Sequence, residues 1–391
     1  MREITELSLT IGNWGAKPYR TEIKSQLINV FAEWCRENGT KIRIELYGGS
    51  GTDLELAKTV KQLQQEDYPV EPLIRLEPRS DRFRIIGRSE CQHVVFEVPV
   101  SRQRASARFL SAGIDQAGEY AKKAVESAAL NGLHPEIALT DITRAKEEDV
   151  EKIVNQVNES LLPRKAKARW RLVDDAGLGD PLPGSRRPKS MRGWVAFFRE
   201  HLNVNAEDIS VQCSDLLGLG LANTLAGHSN GGCPVTSLFG LGHRAGWAAT
   251  ELAMLHALGE NINIKELIGL KSLLDPGNIR RDQYRPVSGY NSWETPSETT
   301  PDKMEKKIEA WLPFDPHPIT GLRIEPLITS LSGKAGLLHL IHRHNPETHV
   351  DTDDSRIEEI YNELSRQFNE GRLIPVSWAE LEPVAKKSGL I

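Results

Sequence analysis

Four cysteines in 391 residues, Cys35, Cys91, Cys213 and Cys233, stand far apart with no Cys-x-x-Cys pair. That spacing offers no disulfide framework and suits reduced thiols in a cytoplasmic protein. Basic charge is not in excess either: 49 Lys and Arg face 54 Asp and Glu, a formal net charge of -5. Little is available to neutralise a phosphate backbone, so no nucleic-acid partner is expected. No apolar run approaches the ~18 residues that cross a bilayer. The opening MREITELSLTIGNWG also lacks a basic stretch followed by an apolar core, so neither a membrane nor a secretory route is expected. What remains is ordinary for a globular chain, 39% hydrophobic and 26% charged. Its length exceeds the ~250–300 residues of a single core, which predicts one large domain with a smaller appendage.

Short β-rich runs recur at Thr5–Ile11, Lys41–Leu46, Val70–Leu76, His93–Val98, Glu136–Thr140, Arg169–Val173 and Asp208–Cys213, with helical stretches between most of them. Such alternation predicts parallel strands joined by crossover helices. Ala117–Leu130 and Glu147–Leu161 carry apolar residues at three- and four-residue intervals, and Asn131-Gly132 stops the first. Seven or eight such units in about 270 residues predict an α/β fold, a (β/α)8 TIM barrel over 1–275, with an open doubly wound sheet as its rival. The Pro-, Ser- and Thr-rich segment after Asp275 predicts an extended connector over 276–318. Apolar periodicity returns at Ile319. Two amphipathic helices, Ser355–Phe368 and Ser377–Lys387, the second opened by a Ser cap, predict a small C-terminal helical subdomain over 319–391. The run DLLGLGLANTLAG lacks the spacing of a dinucleotide loop, and its glycines suit close packing of a helix on the barrel.

Seven segments, taken in order, span nearly the whole chain: IELYGGSGTD, LTDITRA, LVDDAGLGDP, GLGLANTLAG, GLGHRAG, WLPFDPHPITG and LSGKAGL. On these the chain resembles the homocitrate synthase and 2-isopropylmalate synthase family of HMG-CoA-lyase-like (HMGL-like) TIM barrels, the DRE-TIM metallolyase superfamily. The resemblance implies acyl-CoA and 2-oxo acid substrates, joined or cleaved at carbon, with a divalent ion polarising the ketone as a Lewis acid. It also implies that ion's ligands: an Asp from an Arg-Asp-Gly turn after the first strand, two His from a His-x-His strand and, in some branches, an Asn.

Each of those positions has changed. With Gly12 as the shared glycine, Thr10 and Ile11 replace the Arg and Asp. With Asn223 aligned to a family Asn, Gln212 and Ser214 replace the two His, Trp247 replaces the ligand Asn, and Thr300 replaces a connector imidazole. An amide and a hydroxyl are weak ligands for such an ion, and Ile or Trp is none. No metal and no cofactor are therefore expected, with acyl-CoA entering only as a substrate.

Other positions keep or alter the implied site. Glu45 and Arg144 retain a family carboxylate and guanidinium; Glu45 serves the site or pairs with Arg75, and Arg144 binds an anion or holds a barrel-edge carboxylate. Asp174 and Asp175 stand together at a strand end, and Asp175 replaces a Thr that helps hold the 2-oxo acid, so its charge would repel the usual anion. Of the loop histidines, His228 and His243, the second is the better general base, although either can be an ordinary hydrogen-bonding residue. Cys213 alternates with Gln212 and Ser214, which suits a buried small residue more than a nucleophile. The expected set is Glu45, Arg144 and His243 in catalytic roles, with Arg75, Asp174, Asp175, Gln212, Ser214 and Asn223 against substrate.

The expected function is that of a divergent synthase relative, neofunctionalised or a pseudoenzyme, with a carboxylic-acid or acyl-CoA pocket and no metal-assisted aldol chemistry. Two alternatives stay open: a non-catalytic dimeric binding or assembly protein, and an acyl-CoA:2-oxo acid condensing acyltransferase. The resemblance also implies a homodimer, and a chain ending at Ile391 is not expected to carry the regulatory domain of long isopropylmalate synthases.

Overall fold

The computed structural model describes residues 3–11, 19–78, 80–88, 91–109, 113–242, 245–259, 262–270, 274, 285–296, 308 and 312–391. Two compact units emerge, Met1–Ile262 with Gly269–Leu274 and Asn263–Ile268 with Asp275–Ile391. In the first, eight parallel strands close into a barrel in sequence order. They are β1 (Glu3–Glu6), β2 (Lys41–Tyr47), β3 (Val70–Arg75), β4 (His93–Pro99), β5 (His134–Thr140), β6 (Arg169–Asp174), β7 (Ile209–Cys213) and β8 (Cys233–Thr236). The fold is a (β/α)8 TIM barrel.

Two strands differ from the sequence pattern for local reasons. β1 stops at Glu6 and does not continue to Ile11, because Ser8 donates to the Glu6 carboxylate through both its backbone N–H and its hydroxyl. That closure turns the chain into a short helix, Ser8–Ile11. β8 has only four residues, with Pro234 among them, too short a run to announce itself. The helices follow their patterns closely. Gly113–Leu130 begins four residues early and ends where Gly132 adopts φ 70°. Glu147–Leu161 has the expected bounds. In the helix Gly220–His228, a Cβ on Gly227 would lie 2.9 Å from the Val211 side chain of β7, so glycine there permits the close helix–strand approach.

Parallel barrel strands are covered on both faces and ordinarily read as continuous apolar runs. Here β2 reads Lys-Ile-Arg-Ile-Glu-Leu-Tyr, with Ile42, Ile44 and Leu46 fully buried on one face and Arg43 and Glu45 fully buried on the other. The interior carries a chain of alternating charge. Glu71 accepts from Arg43 at 3.0 Å, and Arg43 also reaches Glu136. Arg171 bridges Glu136 at 2.7 Å and Glu45 at 2.6 Å. Arg75 then links Glu45 at 2.5 Å to Glu97 at 2.8 Å. Burial pushes the Glu136 carboxyl up, and the Arg171 and Arg43 guanidinia more than reverse it, leaving Glu136 well below the ordinary carboxylate range. A separate apolar cluster is formed by Leu7, Leu73, Val95, Ala138, Val173, Val235 and Trp247.

The second unit contains the helices Lys334–His344, Ser355–Asn369 and Trp378–Lys387 around Leu337, Leu340, Ile341, Ile357, Ile360 and Leu381. Asp354 caps the middle helix by accepting from Arg356 N–H, whereas Ser377 occupies the N-cap of the last without a side-chain bond. Within the expected connector, β9 (Glu294–Pro296) pairs in parallel with β10 (Glu325–Leu327), so that segment is not extended chain throughout. Thr300 lies outside the described residues.

Glu136→Gln removes one member of a chain whose neighbours have no route to solvent, and stranding a buried charge costs about 3–5 kcal/mol. Urea unfolding is expected to show a loss of that order. Because the folded-state Glu136 is held below its ordinary value, near 4.5, its contribution is present above pH 4.5 and is lost as pH falls. The variant is therefore expected to lose less further stability on acidification than the wild type. A variant as stable as the wild type at pH 7 would show that the interior charges are not coupled.

Candidate functional site

The C-terminal ends of the strands surround a cavity of about 290 Å³. Residues from six strands or the turns after them reach it: Leu7 and Thr10 after β1, Glu45 and Tyr47 of β2, Arg75 of β3 with Leu76 and Glu77, Glu97 of β4, Val173 of β6 with Asp175, and Gln212 of β7. Trp247, beyond β8, and Arg104 and Arg108, from the helix Arg102–Phe109, complete the lining. This is the face on which TIM barrels carry their sites.

Polar chemistry at the cavity is organised as ion pairs. The interior chain surfaces here through Arg75, bound between Glu45 and Glu97. Burial raises Glu45, and Arg75 and Arg171 outweigh it, so its carboxyl sits below the ordinary range and stays charged. Arg104 lies 3.3 Å from Asp175, and Arg108 pairs with Glu77 at 3.2 Å and donates to Tyr120 at 2.8 Å. Asp175 behaves differently from Glu45. Burial pushes its carboxyl up to about 6, against the opposing pull of Arg104, while its Oδ2 accepts from the Asp141 N–H at 2.8 Å. A carboxyl poised there changes protonation just below neutrality and is a candidate acid or base.

The sequence-derived set separates into groups. Glu45, Arg75, Asp175 and Gln212 meet at the cavity. Arg144 stands outside its lining, forked onto Asp141 at 2.9 and 3.0 Å. Asp174 is fully buried, accepting from Thr143 Oγ1 and from Leu178 and Gly179 N–H, and so fastens the loop after β6. Ser214 accepts from Leu216 N–H at 3.3 Å, and Asn223 donates to Leu219 O within its helix. Cys213 is buried, and burial raises its thiol well above the ordinary value, which suits an inert side chain. His228 bonds Gly232 O at 2.9 Å, and His243 lies outside the described residues. Sequence reasoning missed Glu97, Tyr47, Arg104 and Arg108. The four-residue spacing of the last two on SRQRASARF, which puts both on one helix face, was the available signal.

Residues 42–278 match the HMGL-like family model. The chain belongs to the HMGL-like family. It is 25% identical over 395 residues to a 2-phosphinomethylmalate synthase of Streptomyces hygroscopicus, covering 98% of this chain and 89% of that protein. A citrate (Re)-synthase of Clostridium kluyveri is 26% identical over 268 residues, covering 66% of this chain and 59% of its own length. The fold is shared with a hydroxymethylglutaryl-CoA lyase of Pseudomonas aeruginosa at a TM-score of 0.54 and 15% identity, over 69% of this chain and 90% of that one. Among HMGL-like proteins, this is a condensing-synthase-like member.

The divalent ion that the family implies does not suit the donors present. Gln212, at one of the expected His positions, gives its Oε1 to Arg171 Nη1 at 3.3 Å. At and beside the expected ligand positions the described donors are the Gln212 amide, the Thr10 and Ser214 hydroxyls and the Trp247 indole, weak ligands for such an ion. Among the described residues, no three His, Cys, Asp or Glu side chains gather as metal ligands.

Asp175 supplies a pH-dependent signature. An acid whose folded value is raised favours the folded state most below its ordinary 3.8, and that contribution is lost as pH rises through about 6. Asp175→Asn, which cannot ionise, is thus expected to gain stability relative to wild type between pH 4 and pH 7, as read from paired melting curves. A constant difference across that range would show that Asp175 ionises normally.

Proposed function

We propose that this HMGL-like protein binds a small carboxylic acid, or the acyl part of an acyl-CoA, at the barrel mouth and handles it without divalent-ion chemistry. The Gln212 side chain carries this reading, because an amide stands at an expected imidazole position and its Oε1 already accepts from Arg171. Arg104 and Arg108 are the partly exposed cations on the lining and offer charge-assisted hydrogen bonds to a carboxylate. Asp175, titrating near 6, is the group suited to take or return a proton once a ligand displaces water. Relatives named as 2-phosphinomethylmalate and citrate (Re)-synthases support a carboxylic-acid ligand, since both names are those of polycarboxylic products.

Elemental analysis of the purified protein is expected to find no stoichiometric Zn, Mn or Mg, and EDTA to leave the melting temperature unchanged. In the same assay 2-oxo acids or acyl-CoA thioesters are expected to raise the melting temperature by mass action. Arg104→Ala with Arg108→Ala is expected to weaken that binding at least tenfold. A tightly held ion whose removal abolishes condensation of a thioester with a 2-oxo acid would replace this reading with that of an ordinary metal-dependent acyltransferase.

A further inference from the structure

The turn after β5 holds both aspartates at the end of β6. Thr143 Oγ1 donates to Asp174 Oδ1 at 2.7 Å, and the Asp141 N–H donates to Asp175 Oδ2 at 2.8 Å. Asp141 itself is fully buried with φ 66°, a left-handed backbone that costs an L-residue energy and persists where its surroundings enforce it. Here they do: Arg144 Nε reaches both of its carboxylate oxygens, at 2.9 and 3.0 Å, and Ser101 Oγ donates to Oδ2. On Asp175 the described bonds fall on one oxygen, since Oδ2 takes the Asp141 N–H and also lies 3.3 Å from Arg104 Nη1. Oδ1 accepts from none of the described residues, and the side chain lines the cavity with 16% of its surface exposed.

An oxygen that already accepts from an N–H and faces a guanidinium is the poorer place for a proton, so a protonated Asp175 carries it on Oδ1. We infer that Asp141 is a positioning residue for Asp175: fixed by Arg144 and Ser101, it holds Oδ2 through its main-chain N–H and leaves Oδ1 as the oxygen that exchanges a proton with the ligand. The exchange with a ligand rests on the carboxylic-acid reading above, whereas the hold on Oδ2 does not. When Asp175 acts as an acid, the Oδ1–H bond breaks and the proton passes to a ligand oxygen. The charge left on the carboxyl is then stabilised at Oδ2 by the Asp141 N–H and Arg104. In reverse, Oδ1 takes the proton and the ligand keeps the electron pair. The charged groups about Asp175 are Arg104 from the helix Arg102–Phe109, Glu97 from β4 and Asp141 from the turn after β5. Arg144 acts at one remove, by neutralising Asp141 and keeping its turn closed.

Two variants separate positioning from mere support. Arg144→Ala removes a side chain that is 43% exposed and releases the Asp141 carboxylate, whereas Asp141→Asn keeps a residue suited to the left-handed turn, and its N–H, but removes the charge. NMR of ligand-free protein reads Asp175 Cγ with 13C-labelled aspartate and the amide of residue 141 with 15N. In wild type both signals are expected to shift together with a midpoint near 6, and the amide to lie flat in Asp175→Asn. Arg144→Ala is expected to raise the Asp175 midpoint by about one pH unit, the worth of a hydrogen bond to a charged group. Asp141→Asn is expected to lower it, because a like charge is gone and the N–H remains. Midpoints that stay near 6 in both variants, however far their melting temperatures fall, would overturn the positioning role, as would an amide that ignores the ionisation of Asp175. Calorimetry with 2-oxobutyrate, whose carboxyl stays ionised throughout, tests the ligand step separately. Its affinity for wild type is expected to fall about tenfold as pH rises through the midpoint, and in Arg144→Ala to fall about one unit later. Should 2-oxobutyrate and the other acids fail to bind at every pH, the carboxylic-acid reading falls and the NMR midpoints still decide the role of Asp141.

Discussion

Six consecutive ion pairs, from Glu71 through Arg43, Glu136, Arg171, Glu45 and Arg75 to Glu97, thread the barrel, and the rest of the structure is arranged around them. Each arginine along the way touches two carboxylates, so every charge of this run has an opposite beside it. Charges taken this far from water are tolerable only when each finds its opposite in good geometry. The arrangement fixes several strands at once: β2 to β3 and β5, β6 to β5 and β2, and β3 to β4. The same chain determines the site, because its last members are cavity walls. Arg171 and Arg75 keep Glu45 ionised, and Arg171 occupies the oxygen of Gln212.

Against that ordered background the two aspartates after β6 divide their tasks. Asp174 spends both oxygens on the hydroxyl and N–H groups of neighbouring loops. Asp175 meets the cavity, where burial raises its carboxyl to about 6. A pair that looks redundant in sequence is one anchor and one carboxyl on the cavity wall.

The barrel was legible because strand–helix alternation is a local property. The helix at Glu147–Leu161 could be bounded to the residue, since its apolar stripe and its acidic first turn lie in the segment itself. β8 was harder, with four residues and a proline, and the end of β1 depended on Ser8 folding back onto Glu6. At the cavity, Glu45, Asp175 and Gln212 could be named from the family resemblance, and Arg75 as the partner of Glu45. Arg144 could not be separated from them, because its bond to Asp141 depends on a left-handed turn at that residue, φ 66°, which sequence does not display. Arg43, Glu136 and Arg171 were overlooked although their alternation with isoleucine, leucine and valine was visible. Charged residues at every second place in a strand suggest a watery face, and only closure of the barrel turns that face inward.

The anchoring by Asp174 has a wider meaning. Since Asp174 fastens the loop after β6, the structural duty left to residue 175 is to accept from the Asp141 N–H and to meet Arg104, so a replacement that keeps an acceptor oxygen leaves both turns held.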